Sequence, residues 1–187
     1  MKILLIAAVI IIVLVWYINK SESEEELRRK AGLTDEKLEK MRAIFSPLNK
    51  DERNIIYFFA DVFKEMAKGS PISIMKWMRI LDVLALVLGL SKKEIKKFSK
   101  SRDLDRQIEV LKGIKENNPE ITDTLLCTCY EIVELSCGKV NGQPAEVVSR
   151  QLFTKTFNEI GYTNQEISNC INRSCYFIRN FNYGKRP

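Results

Sequence analysis

The sequence contains no histidine among its 187 residues. This absence excludes a Ser-His-Asp triad and a Cys-His nucleophile pair, because both use an imidazole as the general base. It also excludes zinc sites with histidine ligands and a histidine pH switch. No other catalytic constellation is evident, since nothing positions a base beside the loop thiol of Cys137. The sequence therefore predicts a protein that is not an enzyme and needs no cofactor.

Glycine and proline are also scarce, with eight and five residues. A low-complexity, disordered chain is therefore not indicated. Hydrophobic residues make up 45% of the chain and charged residues 29%, which is enough apolar surface for one core. The formal net charge of +6 is a mild bias that does not favour nucleic-acid binding.

An unbroken apolar run covers residues 3–18. As a helix it would span about 24 Å, which Lys2 and Lys20 can extend by reaching towards the headgroups. Trp16 and Tyr17 suit a membrane interface. These features predict a single transmembrane anchor over residues 1–20, with a cleaved secretory signal as the alternative. The anchor residues are Ile3, Leu4, Leu5, Ile6, Val9, Ile10, Ile11, Ile12, Val13, Leu14, Val15, Trp16 and Tyr17.

Basic residues are more numerous after the apolar run than before it. Lys20, Arg28, Arg29 and Lys30 follow the run, whereas Lys2 alone precedes it. The positive-inside rule therefore predicts a single-pass membrane protein with its body on the cytoplasmic side. The opposite orientation stays open.

Beyond the anchor, the apolar spacing is helical, and no alternating strand pattern is evident. Two charged helices over 24–31 and 34–45 predict a helical stalk at residues 21–48. For the rest of the chain, the predicted fold class is an all-α bundle of two pseudo-repeated halves. The boundaries are 49–180 for the helical domain, about 51–100 and 119–180 for its halves, and 181–187 for a basic tail.

A repeated phrase is the basis for the two halves. Residues 88–95 read LGLSKKEI and residues 160–167 read IGYTNQEI. In each phrase a glycine is followed by a capping box, Ser91 with Glu94 and Thr163 with Glu166. The same order of helix, glycine turn and proline-started helix precedes both phrases. We therefore expect an internal duplication whose halves pack face to face.

These phrases resemble those of the TerB-like tellurite-resistance family, which has two all-helical halves. Each half of that family carries Leu-Gly-Leu-Ser-x-x-Glu, matched here by residues 88–94 and more loosely by 160–166. It also carries an Ala-Asp-Gly-x-Ile turn, matched only in part at 67–69 and 136–140. The resemblance implies the same all-helical fold over about two-thirds of the chain.

The acidic turns of that family are absent. Its aspartates, which could bind a divalent cation, correspond to Lys68 and Cys137 here, so no metal is expected. The turn glycines Gly69 and Gly138 are expected to keep a left-handed backbone. The arrangement of anchor and domain resembles the membrane-anchored J-domain co-chaperones. A J-domain requires His-Pro-Asp, which this histidine-free chain lacks.

Five cysteines lie in the second half. Aligning the halves places Cys127, Cys129 and Cys170 at core-type positions, which predicts buried thiols that pack as small hydrophobes. A disulfide would suit an extracytoplasmic domain instead. The Cys-x-Cys and Cys-x4-Cys spacings fit a zinc site poorly.

Two basic regions are candidate binding sites. The first is either a solvated helix face or a contact for anionic lipid or an acidic partner, and consists of Lys92, Lys93, Lys96, Lys97, Lys100, Arg102 and Arg106. The second is either a packed last helix or a partner-binding tail, and combines Tyr176, Phe177, Arg179, Phe181, Tyr183, Lys185 and Arg186.

Together these features predict a membrane-tethered, non-catalytic helical interaction or scaffold domain. Its partners would be the membrane and other protein subunits of a membrane-associated or stress-response assembly. The alternative is an extracytoplasmic, disulfide-stabilised helical subunit of a secretion or surface complex. An enzyme that uses a thiol or a cation is a third and less favoured hypothesis.

Overall fold

The computed structural model describes residues 24–66, 69–91, 93–95 and 103–179. The predicted anchor at 1–20 and the basic tail at 181–187 lie outside these residues. Among the helices that are described, none combines the length and the apolar character needed to cross a membrane.

The described chain is mostly helical, which confirms the all-α prediction. The helices are α1 (Glu24–Lys30), α2 (Asp35–Ile44), α3 (Lys50–Met66), α4 (Pro71–Leu88), α5 (Leu104–Asn117), α6 (Pro119–Glu134), α7 (Ala145–Glu159) and α8 (Asn164–Arg179). Two short strands, β1 (Lys139–Val140) and β2 (Gln143–Pro144), connect α6 to α7.

The two strands correct the expectation that the chain contains none. They pair antiparallel, with Val140 opposite Gln143. The turn between them places Asn141 at φ 50° and Gly142 at φ 82°. Positive φ at both central residues is typical of a type I′ turn, which Asn-Gly favours. The dipeptide therefore forms a minimal hairpin, which is too short for alternating hydrophobicity to reveal.

Helices α1 and α2 form where the sequence predicts the stalk. Thr34 caps α2 by accepting a hydrogen bond from the Lys37 backbone N–H at 3.3 Å. Both helices pack against α4. Their apolar side chains belong to the main core, and these are Leu27, Ala31, Leu33, Leu38, Phe45 and Leu48. The high charge of this segment therefore marks the exposed faces of two helices that share the core of the bundle.

The core is built around α6, which packs against α3, α4, α5, α7 and α8. The buried residues of α6 include Leu125, Leu126, Cys129, Ile132 and Val133, and Ser136 just after the helix is buried as well. On α3, Ile56, Phe59 and Phe63 are buried, whereas Ile55, Val62 and Met66 are half-buried. Phe58 and Ala60 are also buried, because α3 contacts α4, α5 and α6 on different sides.

A cluster of aromatic rings joins the two predicted halves. Phe59 and Phe63 on α3 meet Phe153 and Phe157 on α7. The centroids of Phe153 and Phe157 are 4.8 Å apart, and those of Phe59 and Phe157 are 5.7 Å apart in an edge-to-face arrangement. Such pairs stabilise a core by about 0.5–1.5 kcal/mol beyond their buried area.

The two turn glycines have different structural roles. Gly138 adopts a positive φ of 86°, as expected. Gly69 lies outside the left-handed region, so that expectation is wrong for it. A Cβ at Gly69 would lie 2.7 Å from Cζ2 of Trp77 and 2.8 Å from Cβ of Ser73. Trp77 itself is buried, and its indole N–H donates to the Ile132 carbonyl at 3.0 Å. Gly69 therefore provides the space that lets Trp77 join α4 to α6.

We expect Gly69→Ala to lower the free energy of unfolding by about 1–3 kcal/mol, because the added methyl group would push the Trp77 ring out of its site. Gly113→Ala is the matched control, since Gly113 lies inside α5 with no atom within 4 Å of the added Cβ. It should raise stability by about 0.5–1 kcal/mol. Urea denaturation measures both variants, and an unchanged stability of Gly69→Ala would contradict the steric role.

Candidate functional site

The first residues that the structure describes lie near the C-terminal end of α4. The Arg42 guanidinium is 4.0 Å from the Glu24 carboxylate and donates to the Leu86 carbonyl at 3.3 Å. Leu86 precedes Gly89, which ends α4 at φ 67°. The start of α1 therefore lies at the same end of α4 from which the predicted basic stretch begins.

The first capping box forms at this end of α4. The Ser91 backbone N–H and hydroxyl both donate to Glu94 at 2.8 Å, and the Glu94 N–H donates back to the Ser91 hydroxyl at 3.3 Å. The Lys50 ammonium forms an ion pair with the same carboxylate. Together, Lys50 and Ser91 lower the pKa of Glu94 to about 2, the Lys50 hydrogen bond being the largest cause.

A cavity of about 340 Å³ adjoins this box and is lined by Leu48, Lys50, Arg53, Leu88, Gly89, Leu90 and Glu94. The two basic side chains that line this cavity, Lys50 and Arg53, already bind groups of the protein. Arg53 donates to the carbonyls of Leu48 at 3.1 Å and Ser46 at 3.5 Å, while Lys50 pairs with Glu94. These contacts assign Arg53 and Lys50 a structural role at the junction of α3 and α4.

The second capping box has the same hydrogen bonds. The Thr163 N–H donates to Glu166 at 2.7 Å, and the Thr163 hydroxyl donates at 2.8 Å. A lysine again approaches the box, since Lys115 lies 3.5 Å from Glu166 and donates to the Gly161 carbonyl at 2.6 Å. The predicted phrases therefore share their capping geometry and a neighbouring ammonium.

Two residues of the predicted basic stretch are described. Lys93 and Arg106 are both exposed, and Arg106 lies in the first turn of α5. Lys92, Lys96, Lys97, Lys100 and Arg102 lie outside the described residues. In the predicted partner-binding tail, Tyr176, Phe177 and Arg179 belong to α8, but their side chains are not described. Phe181, Tyr183, Lys185 and Arg186 lie beyond the described chain.

An exposed apolar patch on the first turns of α4 was not among the predicted sites. Ile74, Met75 and Met78 are 43%, 51% and 39% exposed. Their spacing places them on one side of the helix. The exposed Lys76 lies beside them in the sequence. The segment ISIMKWM is apolar on more than one helical face, and that is the sequence feature from which the patch could have been predicted.

Cys137 is exposed and lies next to the N-terminal end of α4. Its sulfur accepts a hydrogen bond from the Ser70 N–H at 3.1 Å and lies 3.9 Å from the Ser73 hydroxyl. The contact joins the hairpin region to α4. Among the described residues there is no group of three or more potential metal ligands of the His, Cys, Asp or Glu type.

Three further cysteines, whose side chains the structure describes, are buried, as predicted. Cys127, Cys129 and Cys170 are at most 2% exposed, and no disulfide joins any two of them. Burial raises the pKa of the Cys129 thiol well above its usual value. The sulfurs of Cys127 and Cys170 lie 3.7 Å apart. Sequence spacing did not predict this pair, because it depends on how α8 packs against α6.

Comparison with known proteins adds no relative. No family model matches the chain. No curated protein and no solved structure matches it either. The assignment of a function therefore depends on the residues and their geometry.

We expect the ion pair at Glu94 to make stability depend on pH. Its lowered pKa means that the carboxylate stabilises the fold fully above its usual pKa of about 4.5, and that this contribution is lost as the pH falls towards 2. Glu94→Gln should therefore weaken the fall in stability between about pH 5 and about pH 2, measured by urea denaturation at each pH.

A double-mutant cycle with Lys50→Met provides the control for this effect. Because Lys50 is the largest cause of the lowered pKa, Glu94→Gln should change the pH dependence less in the Lys50→Met background. Equal effects in the two backgrounds would contradict the coupling between Lys50 and Glu94.

Proposed function

We propose that this chain is a membrane-tethered, all-helical interaction domain without catalytic activity, acting as a subunit of a membrane-associated assembly. The observation that carries this proposal is the position of Glu24, which Arg42 links to Leu86 at the C-terminal end of α4. The predicted anchor precedes Glu24, and the predicted basic stretch follows α4. Anchor and basic residues would thus share one end of the bundle, facing the membrane.

Contact with anionic headgroups follows from this arrangement. A basic residue close to an anionic membrane surface contributes about 1 kcal/mol to binding. Lys93 and Arg106 are exposed and available for such contacts. In the proposed cytoplasmic orientation the domain faces the leaflet that carries anionic lipids. The tether would hold these charges close to the surface, so weak individual contacts suffice to orient the domain.

The exposed patch of Ile74, Met75 and Met78 is the proposed site for a protein subunit. Met75 lies about 20 Å along the helix axis from Leu88, so the patch faces away from the proposed membrane-facing end. Exposed methionines adapt to different apolar surfaces. Lys76 beside the patch favours a partner that combines an apolar surface with acidic side chains.

We also propose a distant relationship to the TerB-like family, together with an internal duplication. Supporting observations are the two capping boxes with equivalent hydrogen bonds, the positive φ of Gly89 and Gly161, and a lysine beside each box.

A second candidate function is an extracytoplasmic, disulfide-stabilised subunit of a secretion or surface complex. The observation that favours it is the distance of 3.7 Å between the sulfurs of Cys127 and Cys170. The two candidates differ in the redox state of this pair inside cells. A cytoplasmic domain would keep both thiols reduced, whereas an extracytoplasmic one would oxidise them.

The proposed orientation can be tested with fluorophores at the two ends of α4. With Cys137 and Cys175 replaced by serine, we expect a fluorophore at Lys93→Cys to be quenched by nitroxide-labelled lipid when the full chain is reconstituted into vesicles. The quenching should increase severalfold when anionic lipid replaces neutral lipid. Met75→Cys is the matched control, because it is exposed at the opposite end of α4. Equal quenching at both positions would contradict the arrangement.

The protein-binding patch can be tested by charge substitution. Met75→Lys and Met78→Lys should change stability by less than about 0.5 kcal/mol, since both side chains are exposed. They should weaken association with the partner subunit at least tenfold, as expected for anchors at an interface centre. A photocrosslinker at Ile74 in cells measures the association, and one at the exposed Gln151 is the control. An adduct that persists in both variants would reject the patch.

A further inference from the structure

Cys127 on α6 and Cys170 on α8 face each other across a helix interface. Their sulfurs are 3.7 Å apart, and the two residues are 0% and 2% exposed. The Cys127 thiol lies 3.8 Å from the Cys170 carbonyl, and the Cys170 thiol donates to the Asp123 carbonyl at 3.5 Å. Both thiols are therefore directed into the same small space between the helices.

The separation is close to that required for a covalent bond. A disulfide has an S–S distance of about 2.05 Å, so the sulfurs would have to approach by about 1.7 Å. Rotation about the χ1 angles of the two side chains, with a small shift of α8, would have to supply that movement. The pair lies in the most extensive helix–helix interface of the described chain. A bond there would join the last described helix to the central one.

We propose that Cys127 and Cys170 are a redox pair whose disulfide ties α8 to α6. The oxidant is a low-molecular-weight disulfide such as oxidised glutathione. The Cys170 thiolate attacks it, forming a mixed disulfide and releasing one thiol. The Cys127 thiolate then attacks the Cys170 sulfur and expels the second thiol. Two electrons pass from the protein thiols to the oxidant, and their two protons end on the released thiols or in solvent.

Burial of the pair controls how fast it reacts. Thiolates form poorly in an apolar interior, so reaction requires α8 to open away from α6. That opening would expose both thiols, so the same disulfide results whichever of the two attacks the oxidant first. The proposal concerns the chemistry of the pair and does not depend on which side of the membrane the domain occupies.

Cys129 provides a matched control within the same helix. It is 0% exposed, like Cys127, and lies two positions further along α6. Two positions correspond to about 200° around the helix axis, so Cys129 lies on the other side of α6 from Cys127. Position on the helix face therefore distinguishes the two thiols, whereas burial and residue type do not.

The experiment uses the full chain in detergent with Cys137 and Cys175 replaced by serine. The reduced protein is unfolded and refolded in a glutathione buffer, so that access to the buried thiols does not limit the reaction. We expect a mass lower by about 2 Da, a peptide linking Cys127 to Cys170, and a midpoint temperature higher by several degrees. Added reductant should reverse all three changes. Cys127→Ala should abolish the link, whereas Cys129→Ala should retain it.

Three results would overturn the proposal. One is a protein that refolds with both thiols free in excess oxidised glutathione. Another is the accumulation of mixed disulfides at Cys127 and Cys170 without the internal bond. The third is a Cys129–Cys170 bond formed with equal yield, which would mean that the native packing does not select the pair. The orientation of the tethered domain is measured separately by lipid quenching. Failure of the disulfide proposal can therefore be distinguished from failure of the proposed membrane orientation.

Discussion

The burial of α6 is the constraint on which the rest of the described bundle depends. Helices α3, α4, α5, α7 and α8 all pack against it, so it has little solvent-exposed surface. A helix surrounded in this way must be apolar on most faces, and its polar groups need partners. The hydroxyls of Thr122 and Thr128 meet this need by donating to the carbonyls of Pro119 and Thr124. Small residues such as cysteine and threonine let the surrounding helices approach closely.

Local sequence patterns predicted much of the fold. Glycines at positive φ, capping boxes and helical spacing depend on contacts within a few residues, and these are the features that the structure bears out. Gly32, Gly89 and Gly161 each follow a helix and adopt a positive φ. The role of Gly69 could not be predicted in this way. Its constraint is the ring of Trp77, which α4 places against Gly69.

Tertiary packing accounts for the features that the sequence did not reveal. Charge in α1 and α2 suggested separation from the core, yet a few apolar residues on one face of each helix are enough to dock them on α4. Arg42 of α2 contacts Leu86 near the C-terminal end of α4, whereas Ile74, Met75 and Met78 near its N-terminal end are exposed. Whether an apolar helix face is covered depends on its neighbours, so periodicity alone cannot separate core from interaction surface.

Under the proposed duplication, the thiols of α6 and α8 occupy positions at which the sequence of the first half has phenylalanines. Under it, Cys127 corresponds to Phe58 and Cys170 to Phe98. A cysteine side chain is much smaller than a phenylalanine, so replacing both rings would leave a cavity unless the helices moved together. Closer packing would remove that cavity, and the two sulfurs lie 3.7 Å apart. The thiol pair would then result from how the second half fills its core. Replacing the two phenylalanines with cysteines would reduce the distance between the helices and would also place two oxidisable groups between them.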